Sequence, residues 1–98
     1  METSKEQMSV YLERLQQFQR HALGSLHRME IDSSTLDGEK VYFNVWIHLY
    51  EWNKEETATH VSDKNEHWSI CEWHEKEAND KALREIKKYM VKHNMIEA

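Results

Sequence analysis

Ninety-eight residues, 39% hydrophobic and 32% charged, suit one domain, 1–98, with a modest core. Four Trp, four Tyr and two Phe exclude a disordered chain, which would be poor in large apolar groups. The net charge of −5 disfavours nonspecific nucleic-acid binding, and the acidity sits in residues 30–80, with thirteen acidic against four basic groups.

Residues 5–28 carry Met8, Leu12, Leu15, Phe18 or Gln19, Ala22, Leu26 and Met29 at the three- and four-residue spacing of one helix face. Ser4 with Gln7 matches a capping box, and the helix is expected to run through about Leu26. Gly24 costs about 1 kcal/mol against Ala in a helix interior. Met29-Glu30-Ile31 reads as a short strand and Asp32-Ser33-Ser34 as a turn start. Asp37-Gly38 is the strongest turn signal, and a hairpin pairing 29–36 with 40–47 follows from it, with the first arm at an edge.

Val41 to Trp52 is the clearest strand. Its odd positions, Val41, Phe43, Val45, Ile47 and Leu49, are all apolar. Its even positions, Tyr42, Asn44, Trp46, His48, Tyr50 and Trp52, are aromatic or polar. Thr57 to Ser62 has the composition of a returning strand, and Asp63-Lys64-Asn65-Glu66 reads as a polar break. In 67–74, alternation puts Trp68, Ile70, Glu72 and His74 opposite His67, Ser69, Cys71 and Trp73. The rival there is an early start to the last helix, and length with aromatic enrichment favours strand. Glu75 to Lys92 is a helix with Ala78, Ala82, Leu83, Ile86, Tyr89 and Met90 on its apolar face, continued by His93, and Lys81, Arg84, Lys88 and Lys92 opposite.

The expected fold class is α+β: an N-terminal helix, a three- or four-stranded antiparallel meander and a C-terminal helix, with the helices packed on one face of the sheet. Cys71 is alone, which points to a reducing, cytoplasmic setting. The polar start Met1-Glu2-Thr3-Ser4-Lys5 lacks a charged-then-apolar leader, and no run approaches the roughly 20 apolar residues of a membrane span.

Helices on the odd face of the central strand leave the even face open. Tyr42, Trp46, His48, Tyr50 and Trp52 then form a candidate interaction surface, since Trp and Tyr anchor protein interfaces and exposed rings also stack bases. Cover by the 53–66 connection, or packing with Trp68 or Trp73, is the competing arrangement. His67, Cys71 and His74 are weak metal candidates, because they share a face only as a helix and a structural zinc site wants four ligands. No cofactor is expected. Cys71 lies near Glu72 and Glu75, which push a thiol pKa upward, and two glycines exclude a glycine-rich phosphate loop, so the chain reads as no enzyme.

The function expected is a non-catalytic protein-interaction module that docks a partner or forms a homodimer through the aromatic face. One alternative is nucleic-acid binding by that face together with the basic stripe Lys81, Arg84, Lys88 and Lys92; another is an acidic inhibitor that mimics nucleic acid. The order helix, strands, helix with a basic last helix resembles double-stranded-RNA-binding domains. That resemblance is one of topology only, since the Lys-Lys-x-Ala-Lys type start of the last helix and the glycine-bearing loops of that family are absent.

Overall fold

Ser4 and Gln7 form the expected capping box: in the computed structural model the Gln7 N–H donates to Ser4 Oγ (3.1 Å) and the Ser4 N–H to Gln7 Oε1 (3.0 Å). The structure describes residues 2–22, 27–52 and 58–97, and the side chains of these outside 49–64. Helix α1 (Lys5–His21) ends sooner than expected, with Ala22 as its C-cap. Its buried stripe is Met8, Tyr11, Leu15, Phe18 and Ala22, so Phe18 rather than Gln19 faces inward. Tyr11 is buried where Leu12 is only half-buried, because its hydroxyl donates to Asp80 Oδ1 at 2.5 Å and so leaves the ring free to pack.

Strands β1 (His27–Leu36), β2 (Lys40–Trp52) and β3 (Ala58–Cys71) form one antiparallel sheet in the order β1-β2-β3. The hairpin has the expected register, from Met29 on Ile47 to Leu36 on Lys40. Asp37 (φ 54°) and Gly38 (φ 72°) both lie in the left-handed region and the Glu39 N–H donates to Leu36 O at 3.1 Å, as a type I′ turn requires. Asp32–Ser34 are strand and not a turn start, since β2 supplies partners to each.

The meander has three strands among the described residues. The expected polar break at 63–66 lies within β3, whose 14 residues run without interruption. A register shift marks the place: one residue of β2 separates His48 and Tyr50, while four of β3 separate their partners Asn65 and His60. Residues 67–71 are strand, and 72–74 turn into α2 (Lys76–Lys92), with Glu75 as N-cap. At the other end Asn94 (φ 58°) closes a Schellman motif, with the Met95 N–H on Met90 O (2.8 Å) and the Asn94 N–H on Val91 O (3.1 Å).

Both helices lie on the odd face of β2. Phe43, Val45 and Ile47 share one buried cluster with Met8, Leu15 and Phe18 of α1 and Ile86 and Met90 of α2. Ile47, Ile70, Ile86 and Met90 have no exposure, and burial of each contributes about 1.5–3 kcal/mol. Trp68 joins from β3, edge-on to Tyr89 at 5.5 Å.

The inward position at the start of α2 belongs to Asn79, and Ala78 is exposed, contrary to the apolar face expected there. Asn79 is fully buried. Its Nδ2 donates to Thr3 Oγ1 (2.7 Å) and Cys71 O (2.8 Å), and its Oδ1 accepts the Cys71 N–H (3.1 Å). Thr3 in turn donates from Oγ1 to His74 O at 2.8 Å. One amide thereby ties the chain start, the end of β3 and α2 together. Asn79→Ala strands those three groups, and the expected cost is about 3 kcal/mol, read as a lower urea midpoint at unchanged slope. A loss below about 0.5 kcal/mol, the level of an ordinary surface change, would show that the amide is dispensable.

Candidate functional site

Because both helices use the odd face of β2, its even-numbered residues project to the other side. Register then fixes their neighbours. Arg28, His48 and Asn65 form one row across the three strands; Glu30, Trp46 and His67 form the next; Asp32, Asn44 and Ser69 form a third. No described element packs over these rows. Arg28, Glu30, Asp32, Asn65 and His67 are exposed, and Asn44, Trp46, His48 and Ser69 are half-buried. Of the 53–66 connection, the expected cover, 58–66 are strand and 53–57 lie outside the described residues.

Polar side chains on this face hold one another in place. Asn44 Oδ1 accepts from Ser69 Oγ and meets His67 Nε2, each at 3.0 Å. His48 Nδ1 meets Asn65 Oδ1 at 3.0 Å, and its Nε2 lies 3.6 Å from the Glu30 carboxylate. Trp46 sits centrally, its ring 5.0 Å from that of His67 and tilted 30°. Tyr42 packs edge-on against Trp73 at 5.5 Å, so at that end the aromatic face is partly self-covered. Of the expected interaction residues, the structure places Tyr42, Trp46 and His48 together on the open face. The side chains of Tyr50 and Trp52 lie outside the described residues, although their backbones pair with His60 and Ala58.

Lys81, Arg84, Lys88 and Lys92 are all exposed on α2. That helix turns Ile86 and Met90 to the sheet, so the basic stripe faces away from it, on the far side of the domain from Trp46. Aromatic face and basic stripe do not form one surface. Near the C-terminal ends of the two helices a cleft of about 870 Å³ opens, lined among the described residues by Phe18, His21, Lys87, Val91, Met95 and Ile96. Those residues bring no nucleophile and base together.

His67 and Cys71 share the open side of β3 four residues apart, about 13 Å along a strand, and His74 lies beyond it in the turn. The helix that would gather them does not form, and among the described residues no three His, Cys, Asp or Glu side chains come together around a metal position. Cys71 is 4% exposed, with both backbone polar groups held by Asn79. Burial pushes its thiol above the ordinary range, which leaves little thiolate near neutrality. The sequence reading did not single out Glu30, Asp32 and Ser69; the expected hairpin register already sets Glu30 and Asp32 beside Trp46 and Asn44, whereas Ser69 depends on the β2–β3 register. No helix among the described residues is long and apolar enough to cross a membrane.

Alkylation of native Cys71 at neutral pH should be slow and should accelerate with denaturant; rapid stoichiometric labelling in buffer would reveal an accessible, activated thiol instead. No protein-family model, curated protein or solved structure matches the chain, and its functional reading rests on this geometry.

Proposed function

We propose that the chain is a non-catalytic protein-interaction module, and that the open face centred on Trp46 binds a protein partner or a second copy. One observation carries the reading: α1 and α2 both pack on the odd face of β2, while Tyr42 and Trp46 face outward among hydrogen-bonded polar neighbours. Trp and Tyr supply large contact area at small entropic cost, and they anchor interfaces when ringed by polar groups. The lattice around Asn44 and His48 adds preorganisation, because side chains already fixed lose less freedom on association.

Trp46→Ala tests this directly. Trp46 lies outside the helix-facing core, so the variant should keep its helix content and melting temperature within a few degrees while binding through the face weakens at least tenfold. Sedimentation and co-purification identical to wild type would remove the open face from consideration.

Nucleic-acid binding, the alternative reading, would draw on the outer face of α2 alone, where Lys81, Arg84, Lys88 and Lys92 are exposed. A titration against mixed-sequence duplex RNA and DNA separates the two. The phosphate contribution is strongest at low salt, so no binding at about 20 mM salt is the expected result, and binding with a steep salt slope lost in an Arg84→Glu variant would reverse the preference.

A further inference from the structure

We infer that His27 and His93 form an acid-sensitive latch: with neutral rings they hold residues 94–97 against the core, and with both rings charged they release them. The latch lies on the helix side of the sheet and is independent of the open face. Four rings stand in a row there. Trp68 of β3 meets Tyr89 of α2 at 5.5 Å, Tyr89 meets His93 at 4.2 Å, and His93 meets His27 of β1 at 5.0 Å, tilted 43°. The last turn of α2 thereby bridges the two outer strands of the sheet.

His93 is the C-cap of α2, and the residues after it depend on its position. Residues 94–97 belong to no helix or strand. They are held by the Asn94 and Met95 N–H groups on Val91 O and Met90 O, and by the Met95 side chain, which is buried in the core cluster. His27, by contrast, pairs with Leu49 and continues into the ladder that joins β1 to β2. A force that separates the two rings acts on the weaker side, and the end of a helix opens at less cost than a paired strand.

Two half-buried imidazoles this close resist carrying two charges. Burial, then the proximity of His93, lowers the His27 pKa below its ordinary 6.5. The negative end of α2 tolerates a charge at His93, so the charge that the fold resists is the second one, on His27. Among the described residues, basic groups outnumber acidic ones around the pair. Arg28 donates to the His27 carbonyl at 3.3 Å, Lys92 precedes His93, and His21 and Lys87 line the adjoining cleft. Against them stand Glu97 in that cleft and Glu66 of β3, which acts on Tyr89. The open state binds the second proton more readily than the closed one. The closed state is therefore fully favoured above the ordinary 6.5 and loses its advantage as pH falls through the lower folded value of His27. Carboxylates titrate near pH 4, below most of that interval, so the two imidazoles dominate it.

Amide hydrogen exchange of the full chain reads the latch at Met95, whose N–H donates to Met90 O, with the His27 ring titrated by NMR beside it. After correction for intrinsic exchange, wild-type Met95 should lose about tenfold in protection between about pH 7.5 and about pH 5. His27→Gln, which keeps a polar side chain but takes no proton, should lose less than about twofold over the same range. His93→Gln removes the other ring and should behave alike, so the comparison survives if one variant fails to fold. Met95 protection that ignores pH in wild type while the β2 amides lose theirs would mean that only global unfolding relieves the pair, and overturns the latch. So does a pH-dependent loss that persists in both variants, or a His27 ring that titrates at or above its ordinary 6.5.

Discussion

Phe43, Val45 and Ile47 hold both helices on one side of the sheet, and the rest of the molecule follows from that constraint. A strand offers its side chains to alternate faces. Once these three are committed to the helices, Tyr42, Asn44, Trp46 and His48 have nowhere to go but the other side. Moving β2 by one residue would exchange the two sets and put Trp46 and His48 into the core, and the type I′ turn at Asp37-Gly38 prevents that slip. A single period of two thus determines both what is buried and what is left on the open face.

The end of the sheet that carries Cys71 is held by polar groups in place of apolar ones. Asn79 and Thr3 close it on the inside, and Glu72 closes it at the rim, its carboxylate 2.8 Å from Lys5 Nζ and accepting the Val41 N–H at 3.3 Å. The Lys5 ammonium, followed by the Val41 N–H, lowers the Glu72 pKa below its ordinary 4.5. That stabilisation is present above the ordinary value and is lost as pH falls through the lower folded one. Tyr11 shows the opposite shift: burial first, then the hydrogen bond to Asp80, pushes its phenol above its ordinary value of 10.0. Both shifts keep the charge state that the hydrogen bonds require near neutral pH.

Local chemistry made most of the fold legible. Ser4 and Gln7 announce a helix start, Asp37-Gly38 a turn, and the alternation of 41–49 a half-buried strand; each is complete within a few residues of sequence. Positions whose role depends on a distant partner were hidden. Asn79 is polar and is buried only because Thr3 and Cys71 surround it, and Tyr11 packs inward because Asp80 accepts a hydrogen bond from its hydroxyl. Asp63 to Glu66 reads as a break because polar residues favour loops; Asn65 and Glu66 nonetheless pair with β2, while Asp63 and Lys64 fall in the register irregularity. The open face was legible on β2 alone. Its flanking rows depend on a β2–β3 register that passes through an irregularity no turn motif marks.

The makeup of that face also says what kind of contact it suits. Around Trp46 its described residues are polar, Glu30, Asp32, Asn44, His48, Asn65, His67 and Ser69, and the exposed Leu36 stands apart at the hairpin end. An obligate interface resembles a core cut in half and would need Val or Leu at several of these positions. Here many polar groups already have hydrogen-bond partners within the chain, so exposing the face to water costs little and the free domain is stable. Covering it gains the area of the Trp46 ring and exchanges water for a few fixed donors and acceptors, a difference of modest size. For the proposed interaction, a face built this way would hold the free and bound states close in free energy, a balance that suits a contact made and broken repeatedly rather than one made once during folding.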